Sequence, residues 1–307
     1  MRTAYIDSIY ELTAKDENVY ALISDNGAIV YDKFKQDFPK HLINVGISEA
    51  NMVGMAAGMA RRGKIPFAYT IGAFLAYRAY EFIINDVCWQ QQNVKLVGIG
   101  AGCAYSLLGS SHHTIFDLAA LRPLPNLTIF SPASPLEVKK VVQAAYNING
   151  PVYIRLGTNR EVELYSKDYK FMVGKAVTLR NGTDIAIMGT GSILADVMEA
   201  AKALNKEGIS VRVINFPTIK PVDKETILDT AKTIGKIVIV EEHSNIGGFG
   251  DAVTTVLAEK GQQCAIKCLG FTDFVHGYGK HGELKANNGL SIADIVKVTK
   301  KMVKGEV

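Results

Sequence analysis

Short apolar runs alternate with longer amphipathic runs along most of the 307-residue chain. In the first half, four apolar runs predict buried strands: Val19–Ser24, Val94–Gly98, Leu127–Phe130 and Val152–Leu156. Two segments have the periodicity of helices, namely Glu49–Ala60, which is rich in small residues, and Pro135–Tyr146, which begins with proline. Strands separated by helices imply a parallel sheet that is covered on both faces.

The segment from about Gly157 to Lys175 interrupts this alternation, because it is polar, charged and without a sustained period. We therefore expect a first domain over residues 1–160, a linker over 161–175 and a smaller second domain over 176–307. In the second domain, predicted strands alternate with predicted helices: Ile185–Met188, Ile193–Asn205, Val211–Ile214, Lys224–Thr233, Ile237–Val240, Gly247–Lys260, Ala265–Leu269 and Ser291–Val303. The predicted fold class is two consecutive α/β domains with mainly parallel sheets.

Composition limits the function classes. Hydrophobic residues make up 48% and charged residues 21% of the chain, which is typical of a soluble globular protein. The net charge of +4 comes without a basic tract, so nucleic acid is not an expected partner. We expect neither a signal peptide nor a membrane span, because no sufficiently long apolar run occurs. Four cysteines do not suggest a disulfide framework, and the cytosol is the expected location.

Three segments are candidates for chemistry, and the first is centred on Glu49. This residue stands where an apolar run gives way to a helix of Met, Ala and Gly. A carboxylate among such neighbours is poorly solvated and could share a proton with a ligand. The alternative is a helix-terminal charge that the helix dipole stabilises.

The second segment is an aromatic stripe. Phe74, Tyr77 and Tyr80 recur every three residues, so they share one side of a helix or tight turn and could stack on a planar ring. Such a stripe could equally belong to the core.

The third segment contains His112 and His113 in a predicted loop. Adjacent histidines without a third ligand are a weak metal signal, and we predict no metal site in this chain. A single acid/base histidine is the better functional interpretation. The alternative is a surface pair.

Together these segments resemble the transketolase family, and most closely its split form, in which two shorter chains make the enzyme. The run NVGISEANMVGMAAGMARRGKIPFA resembles the family's pyrimidine-domain signature, and Leu108-Gly-Ser-Ser-His112 with the following FDLAALRPLPN resembles its histidine loop. The later stretches GISVRVINFPTIKPVDKETI and EEHSNIGGFGDAV resemble its C-terminal domain. The resemblance covers nearly the whole chain.

The resemblance implies roles for individual residues. Glu49 would hydrogen-bond the aminopyrimidine ring of thiamine diphosphate, and His112 would stabilise or protonate a developing alkoxide. Phe74, Tyr77 and Tyr80 would line the pyrimidine ring, and Asp25 matches the family's aspartate after the first strand. Arg2 and Arg155 match two arginines that bind substrate phosphate, and His112 would also contact the substrate.

The diphosphate site is missing from the sequence. In the family this site needs a Gly-Asp-Gly…Asn motif, and the chain contains no Gly-Asp-Gly. The resemblance therefore implies a partner chain that binds the diphosphate together with Mg²⁺ or Ca²⁺. A heterotetramer with two copies of each chain is expected, because family active sites form between subunits.

Three departures from the family affect the sugar pocket. Leu108 replaces an aspartate that contacts a sugar hydroxyl, while a phosphate-binding histidine and serine fall at Gly100 and about Ile29. The expected activity is transfer of a two-carbon ketol unit from a ketose, or ketose phosphate, to an aldehyde, with an altered sugar pocket. The alternatives are a deoxyxylulose-phosphate-synthase-like enzyme, the beta subunit of a 2-oxoacid dehydrogenase and a non-catalytic regulatory subunit.

Overall fold

The computed structural model describes residues 1–26, 28–158 and 161–306. Its strands are β1 (Val19–Ile23), β2 (Leu42–Asn44), β3 (Ile65–Ile71), β4 (Lys95–Ile99), β5 (Thr128–Phe130), β6 (Val152–Leu156), β7 (Val177–Arg180), β8 (Ile185–Gly189), β9 (Val211–Asn215), β10 (Thr218–Lys220), β11 (Lys236–Ser244) and β12 (Ala265–Phe271).

The α-helices connect these strands. They are α1 (Arg2–Thr13), α2 (Asp32–Asp37), α3 (Glu49–Arg61), α4 (Gly72–Arg78), α5 (Tyr80–Phe82), α6 (Asp117–Leu121), α7 (Pro135–Asn147), α8 (Leu194–Lys206), α9 (Lys224–Thr233), α10 (Phe249–Glu259), α11 (His281–Asn287) and α12 (Ile292–Lys304). A π-helical turn, Ile83–Trp89, follows α5. Among the residues described, none of the helices is long and apolar enough to cross a bilayer.

The first sheet has the strand order β10-β5-β6-β4-β3-β1-β2. Its pairs are parallel except for β10, which is antiparallel to β5. Parallel strands need crossover connections, and α3 and α7 are two of the helices that cross between them. The carboxyl ends of β1, β2, β3 and β4 therefore meet at one edge, where ligand sites of open α/β sheets usually lie.

The second sheet has the order β12-β11-β8-β9-β7 and is parallel except at β7. The second half of the chain contributes one strand to the first sheet, because β10 pairs with β5. One apolar cluster also contains Tyr153 from β6 together with Met188 from β8 and Phe249 from α10. The two halves thus pack against each other through an apolar core.

Side chains of the first sheet fill both of its faces. Along β3, Ala68 belongs to the cluster on one face, whereas Phe67 and Tyr69 belong to the cluster on the other. Because both faces are covered, every residue of β4 and β6 is buried, and burial does not alternate along these strands.

The predicted fold class is confirmed, and every predicted strand and helix has an observed counterpart whose ends mostly differ by one or two residues. Helix α1 and strand β3 were not among the predicted elements. The antiparallel addition of β10 to the first sheet was not predicted either. Residues 161–175 contain no helix or strand, and the division into domains at 160 and 175 stays a prediction.

Candidate active site

Four of the sequence-predicted site residues lie at the carboxyl edge of the first sheet. Asp25 follows β1, Glu49 follows β2, Phe74 follows β3 and His112 follows β4. Each residue reaches this edge because a parallel strand ends there and a turn or helix begins. Four residues far apart in sequence therefore share one region.

Glu49 is a buried carboxylate at the first position of α3, with 3% of its surface exposed. The Ser24 hydroxyl donates to its Oε1 across 3.2 Å, and Arg78 Nη1 lies 3.3 Å from its Oε2. The helix is built largely of Met, Ala and Gly, which brings little polar surface near the carboxylate. Glu49 is thus fixed in position by one contact at each oxygen.

Arg78 connects Glu49 to the aromatic stripe. Its guanidinium lies 4.0 Å from the centroid of the Phe74 ring, which is a cation–π contact, while the side chain itself is 53% exposed. Solvent screens an ion pair with so exposed an arginine, so the contact with Glu49 orients more than it stabilises.

His112 lies against the same ring. Its imidazole is 4.9 Å from Phe74 between centroids in an edge-on arrangement, and its Nδ1 is 2.9 Å from the Ser111 hydroxyl. Burial, together with the nearby charge of Arg78, lowers the pKa of His112. The imidazole is therefore mainly neutral at pH 7 and can both donate and accept a hydrogen bond.

The two tyrosines of the stripe have separate partners. The Tyr77 hydroxyl accepts the Phe116 N–H at 3.0 Å, and burial of this group raises its pKa. The Tyr80 hydroxyl donates to the Ala120 carbonyl at 2.8 Å, and its ring packs against the core. Phe74 is the stripe member that contacts both Arg78 and His112.

Asp25 is exposed and has a φ of 49°, in the left-handed region that Asp and Asn tolerate better than most residues. Asn44 holds it in place, because the Asn44 amide donates to Asp25 Oδ1 at 3.1 Å and its Oδ1 accepts the Asp25 N–H at 3.1 Å. The loop after β1 is therefore tied to the end of β2, beside Glu49.

A space of about 350 Å³, which we call the cavity, lies at the same edge of the sheet. Arg2 lines it, and Arg2 Nη2 donates to the Tyr105 hydroxyl at 2.9 Å, while its buried Nε has no hydrogen-bond partner among the described residues. An anionic end of a small molecule would find a guanidinium here. The lining residues of the cavity are Arg2, Ala104, Tyr105, Ser106, Leu107, Leu108, Thr158 and His281.

Of the three departures that the resemblance implies in this region, the one at Gly100 has a steric explanation. Gly100 has a φ of 85°, and a Cβ there would lie 2.2 Å from the Tyr105 ring. Tyr105 therefore occupies the space that a histidine at position 100 would need. Leu108 is 52% exposed on the cavity wall. The side chain of Ile29 lies outside the described part of the structure.

The surroundings of Arg155 argue against its predicted role in binding a substrate phosphate. It is 3% exposed, its Nε donates to Asp117 Oδ2 at 2.8 Å, and its Nη2 donates to the carbonyls of Thr114 and Glu242 at 2.7 and 3.1 Å. A guanidinium buried among these acceptors is not available to a substrate phosphate. Arg155 is better described as a structural residue that joins β6 to the loop after β4 and to β11.

His113 points away from His112, because a short 3-10 helix ends at His112 and His113 is already extended. It is 3% exposed and lines a second cavity with Tyr77, Phe116 and Phe274. Neither of its ring nitrogens has a hydrogen-bond partner in the described structure. The two adjacent histidines therefore have different surroundings, because the backbone changes from helical to extended between them.

Several functional candidates escaped the sequence analysis. Ser24 and Arg78 reach Glu49, while Tyr105 and His281 line the cavity. Arg78 had a local signal, because it lies inside the aromatic stripe. His281 had none, since it comes from α11 in the second half of the chain.

The residues present fit the pyrimidine end of thiamine diphosphate. A buried carboxylate can hydrogen-bond a ring nitrogen, and a neighbouring aromatic ring can pack against a planar heterocycle. Glu49 and Phe74 provide these two groups, joined through Arg78.

The comparisons with known proteins agree with this geometry. Residues 1–160 match the family model of the transketolase pyrimidine binding domain, and residues 174–295 match that of the transketolase C-terminal domain. A subunit of the apulose-4-phosphate transketolase of Actinobacillus succinogenes is 39% identical over 86% of this chain and 85% of its own length. A 6-deoxy-6-sulfo-D-fructose transketolase subunit of Clostridium sp. is 35% identical over 97% of this chain and 92% of its own.

A solved structure of a split gene transketolase, described as an inactive beta4 tetramer, superposes with a TM-score of 0.92. It is 37% identical and covers 100% of this chain and 99% of its own. The chain therefore belongs to the transketolase family, and it corresponds to the subunit of a split transketolase that carries the pyrimidine-binding and C-terminal domains.

Proposed function

We propose that this chain is the pyrimidine-binding subunit of a two-chain, thiamine-diphosphate-dependent enzyme that moves a two-carbon ketol unit from a ketose to an aldehyde. The observation that supports this most is the buried Glu49 carboxylate beside Phe74 and His112 at the carboxyl edge of the sheet. A transferase of transketolase type follows from the family, while the cofactor, the partner and the substrate are proposals.

Thiamine diphosphate supplies, when bound, the carbanion chemistry that allows a carbon–carbon bond next to a carbonyl to break. The role of Glu49 is to hydrogen-bond the aminopyrimidine ring and to exchange a proton with it. Ser24 fixes one carboxylate oxygen at 3.2 Å, so the group loses little freedom when a ligand arrives. The Phe74 ring packs against the pyrimidine ring.

His112 is the proposed acid/base group toward the substrate. Its lowered pKa leaves the imidazole neutral, so it can donate a hydrogen bond to an oxygen that becomes negative and can accept a proton when the reaction reverses. The contact with Phe74 places it on the same side as Glu49.

We infer an anionic substrate whose charged end lies in the cavity. Arg2 lines that cavity, and no described residue accepts a hydrogen bond from its buried Nε; His281 lines the cavity as well. Leu108 and the Tyr105 ring over Gly100 leave this wall poorer in polar groups than the family pattern. The names of two relatives refer to a ketose phosphate and a sulfo-ketose, which are both anionic sugar derivatives.

The diphosphate, and the Mg²⁺ or Ca²⁺ that accompanies it, would be held by a partner subunit. Large apolar side chains are exposed on loops at the active edge, including Ile47 at 75% and Leu107 at 71%. A protein surface would cover such side chains. We propose a complex of two copies of each chain, located in the cytosol.

The test is reconstitution. The chain encoded beside this one is the first candidate partner, and the two are purified separately and mixed with thiamine diphosphate, Mg²⁺ and a panel of ketose and aldose phosphates. We expect ketol transfer from the mixture, and none from this chain alone. Transfer by this chain alone would refute the partner requirement.

A second assay distinguishes ketol transfer from the main alternative, a deoxyxylulose-phosphate-synthase-like reaction. Pyruvate with glyceraldehyde 3-phosphate replaces the ketose panel in the same mixture, because a deoxyxylulose-phosphate-synthase-like enzyme uses a decarboxylating donor. Activity there without ketol transfer would favour that alternative over the proposal.

A further inference from the structure

A group of metal-ligating side chains lies beside the cavity, and the proposed reaction gives no role to two of its members, Cys103 and Glu242. Cys103 follows β4, Glu242 lies on β11 and His281 begins α11. Their donor atoms all lie within 4.8 Å of one another. Three distant parts of the chain therefore bring a thiol, a carboxylate and an imidazole to one point.

The contacts inside this group are close. Cys103 Sγ is 3.5 Å from Glu242 Oε1, and His281 Nε2 is 2.6 Å from the same oxygen. The Cys103 backbone N–H also donates to Glu242 Oε1 at 2.8 Å. Cys103 and Glu242 are buried, with 0% and 3% of their surfaces exposed, while His281 is partly exposed.

The backbone is shaped to receive the carboxylate. Gly102 has a φ of 66°, and a Cβ there would lie 2.2 Å from Glu242 Oε1. Only glycine both adopts this conformation readily and leaves room for the carboxylate. Close approach of Glu242 to the loop after β4 is therefore built into the chain.

One buried acceptor of this group has no hydrogen-bond partner in the described part of the chain. Glu242 Oε2 is buried, and no described residue donates a hydrogen bond to it. Unpartnered buried acceptors are costly, and a cation would satisfy them.

We propose that Cys103, Glu242 and His281 bind one Zn²⁺ ion and that a water molecule takes the fourth position. Thiolate, imidazole and carboxylate are the ligands that zinc takes in tetrahedral sites, whereas Mg²⁺ and Ca²⁺ take oxygen ligands. Binding replaces the hydrogen bond between His281 Nε2 and Glu242 Oε1 by two bonds to the metal. His281 binds as the neutral imidazole with its proton on Nδ1, and the thiol proton of Cys103 goes to solvent.

Such an ion joins the two halves of the molecule. Cys103 belongs to the loop that follows β4 of the first sheet, while Glu242 and His281 belong to the second half. His281 also lines the cavity, so the metal would fix one of its walls. The role is structural, and it does not depend on the proposed reaction.

The proposal is tested on the untagged full chain after chelator treatment, with Co²⁺ as the spectroscopic probe and Zn²⁺ as competitor. We expect one Co²⁺ per chain, visible bands of a tetrahedral site and a near-ultraviolet thiolate-to-metal band, all abolished by Zn²⁺. Zn²⁺ should also raise the melting temperature in proportion to the logarithm of its concentration above saturation.

Variants identify the ligands. Cys103→Ser should remove the thiolate band and weaken Zn²⁺ binding by about tenfold or more, and His281→Gln should weaken it by a similar factor, as losses around metal sites do. Cys264→Ser is the matched control, because Cys264 is a free cysteine outside the group, and it should bind like the parent.

Three results would overturn the proposal. One is the absence of a thiolate band in the parent chain, and another is a band that survives Cys103→Ser. The third is that His281→Gln lowers the melting temperature equally with and without Zn²⁺, which would identify His281 and Glu242 as an ion pair only. Circular dichroism checks that each variant is folded, and His281→Gln, at a partly exposed position, remains informative if Cys103→Ser does not fold.

Discussion

Two regions at the same edge of the first sheet differ in how they relate to the family. The pyrimidine region contains Ser24, Glu49, Phe74, Arg78 and His112, and we propose that it supplies the family's carboxylate, aromatic ring and histidine. In the cavity, Arg2 lines the wall, the Tyr105 ring lies against Gly100, and Leu108 stands where the resemblance implies a carboxylate. The proposal is therefore that the first region keeps the family's polar groups and that the second has lost several of them.

The difference follows from what each region must do. The carboxylate and the ring serve the cofactor and not one particular substrate, so their replacement would sharply lower the rate with any substrate. The cavity wall determines which substrate fits, and its residues can change while the reaction type stays the same. The comparison therefore predicts a familiar reaction on an altered substrate.

The largest expected effect concerns Glu49. Glu49→Gln keeps the shape and the acceptor for Ser24 but cannot exchange a proton, so ketol transfer by the reconstituted enzyme should fall about two to four orders of magnitude. Steady-state kinetics with the partner present measure this effect. Glu11→Gln, an exposed carboxylate on α1, is the matched control and should leave the rate unchanged. A Glu49→Gln rate within a few-fold of the parent would exclude the catalytic role.

The next effect concerns stability and tests the correction at Arg155. Arg155→Ala leaves Asp117 buried without its cation, which should lower the free energy of unfolding by about 3–5 kcal/mol. Denaturant titration measures this, and Lys202→Ala, which removes an exposed pair with Glu199, should change it by less than about 1 kcal/mol. If Arg155→Ala kept full stability and raised KM only for phosphorylated substrates, Arg155 would be a substrate contact after all.

A site residue could be predicted from the sequence where its signal is local, and could not where its contacts join residues far apart in the chain. Glu49 and Phe74 could be located because a strand-to-helix step and a three-residue spacing are local patterns. The burial of Arg155 could not, because its acceptors Asp117 and Glu242 lie 38 and 87 residues away. Likewise, the contact between Cys103 and Glu242 spans 139 residues, and no spacing rule links them.

The pairing of β10 with the first sheet is a further case. Its three residues, Thr218–Lys220, carry no signal that assigns them to one sheet or the other. Packing of the two halves decides the matter, as shown by the apolar cluster that both halves share. The predicted helices and strands were accurate where propensity and burial agree. The packing of the two halves, which decides the sheet that β10 joins, could not be predicted from the sequence.

A smaller effect is expected from Arg2. Arg2→Ala removes a charge-assisted contact worth about 1.5–3 kcal/mol, so KM for an anionic ketose should rise about tenfold to a hundredfold. KM for the uncharged analogue should change little, and Arg61→Ala, an exposed arginine on α3, should change neither value. Equal increases for the charged and the uncharged ketose would remove Arg2 from recognition of the anion.

The smallest effect distinguishes the members of the aromatic stripe. Tyr80→Phe loses the hydrogen bond to the Ala120 carbonyl, which should cost about 0.5–1.5 kcal/mol of stability. The Kd of the Tyr80→Phe complex for thiamine diphosphate should equal that of the parent complex, whereas Phe74→Ala should weaken cofactor binding. A cofactor Kd that rises as much for Tyr80→Phe as for Phe74→Ala would contradict this assignment.

The central claim is that the pyrimidine region supports ordinary ketol transfer while the cavity has been rebuilt. The most direct measurement is kcat/KM of the reconstituted complex for xylulose 5-phosphate with ribose 5-phosphate, beside a panel of other ketose phosphates and sulfonates. The account predicts that the pentose phosphates are poor substrates and that another anionic ketose is used efficiently. Efficient use of the standard pentose phosphates, at the level of an ordinary transketolase, would contradict it.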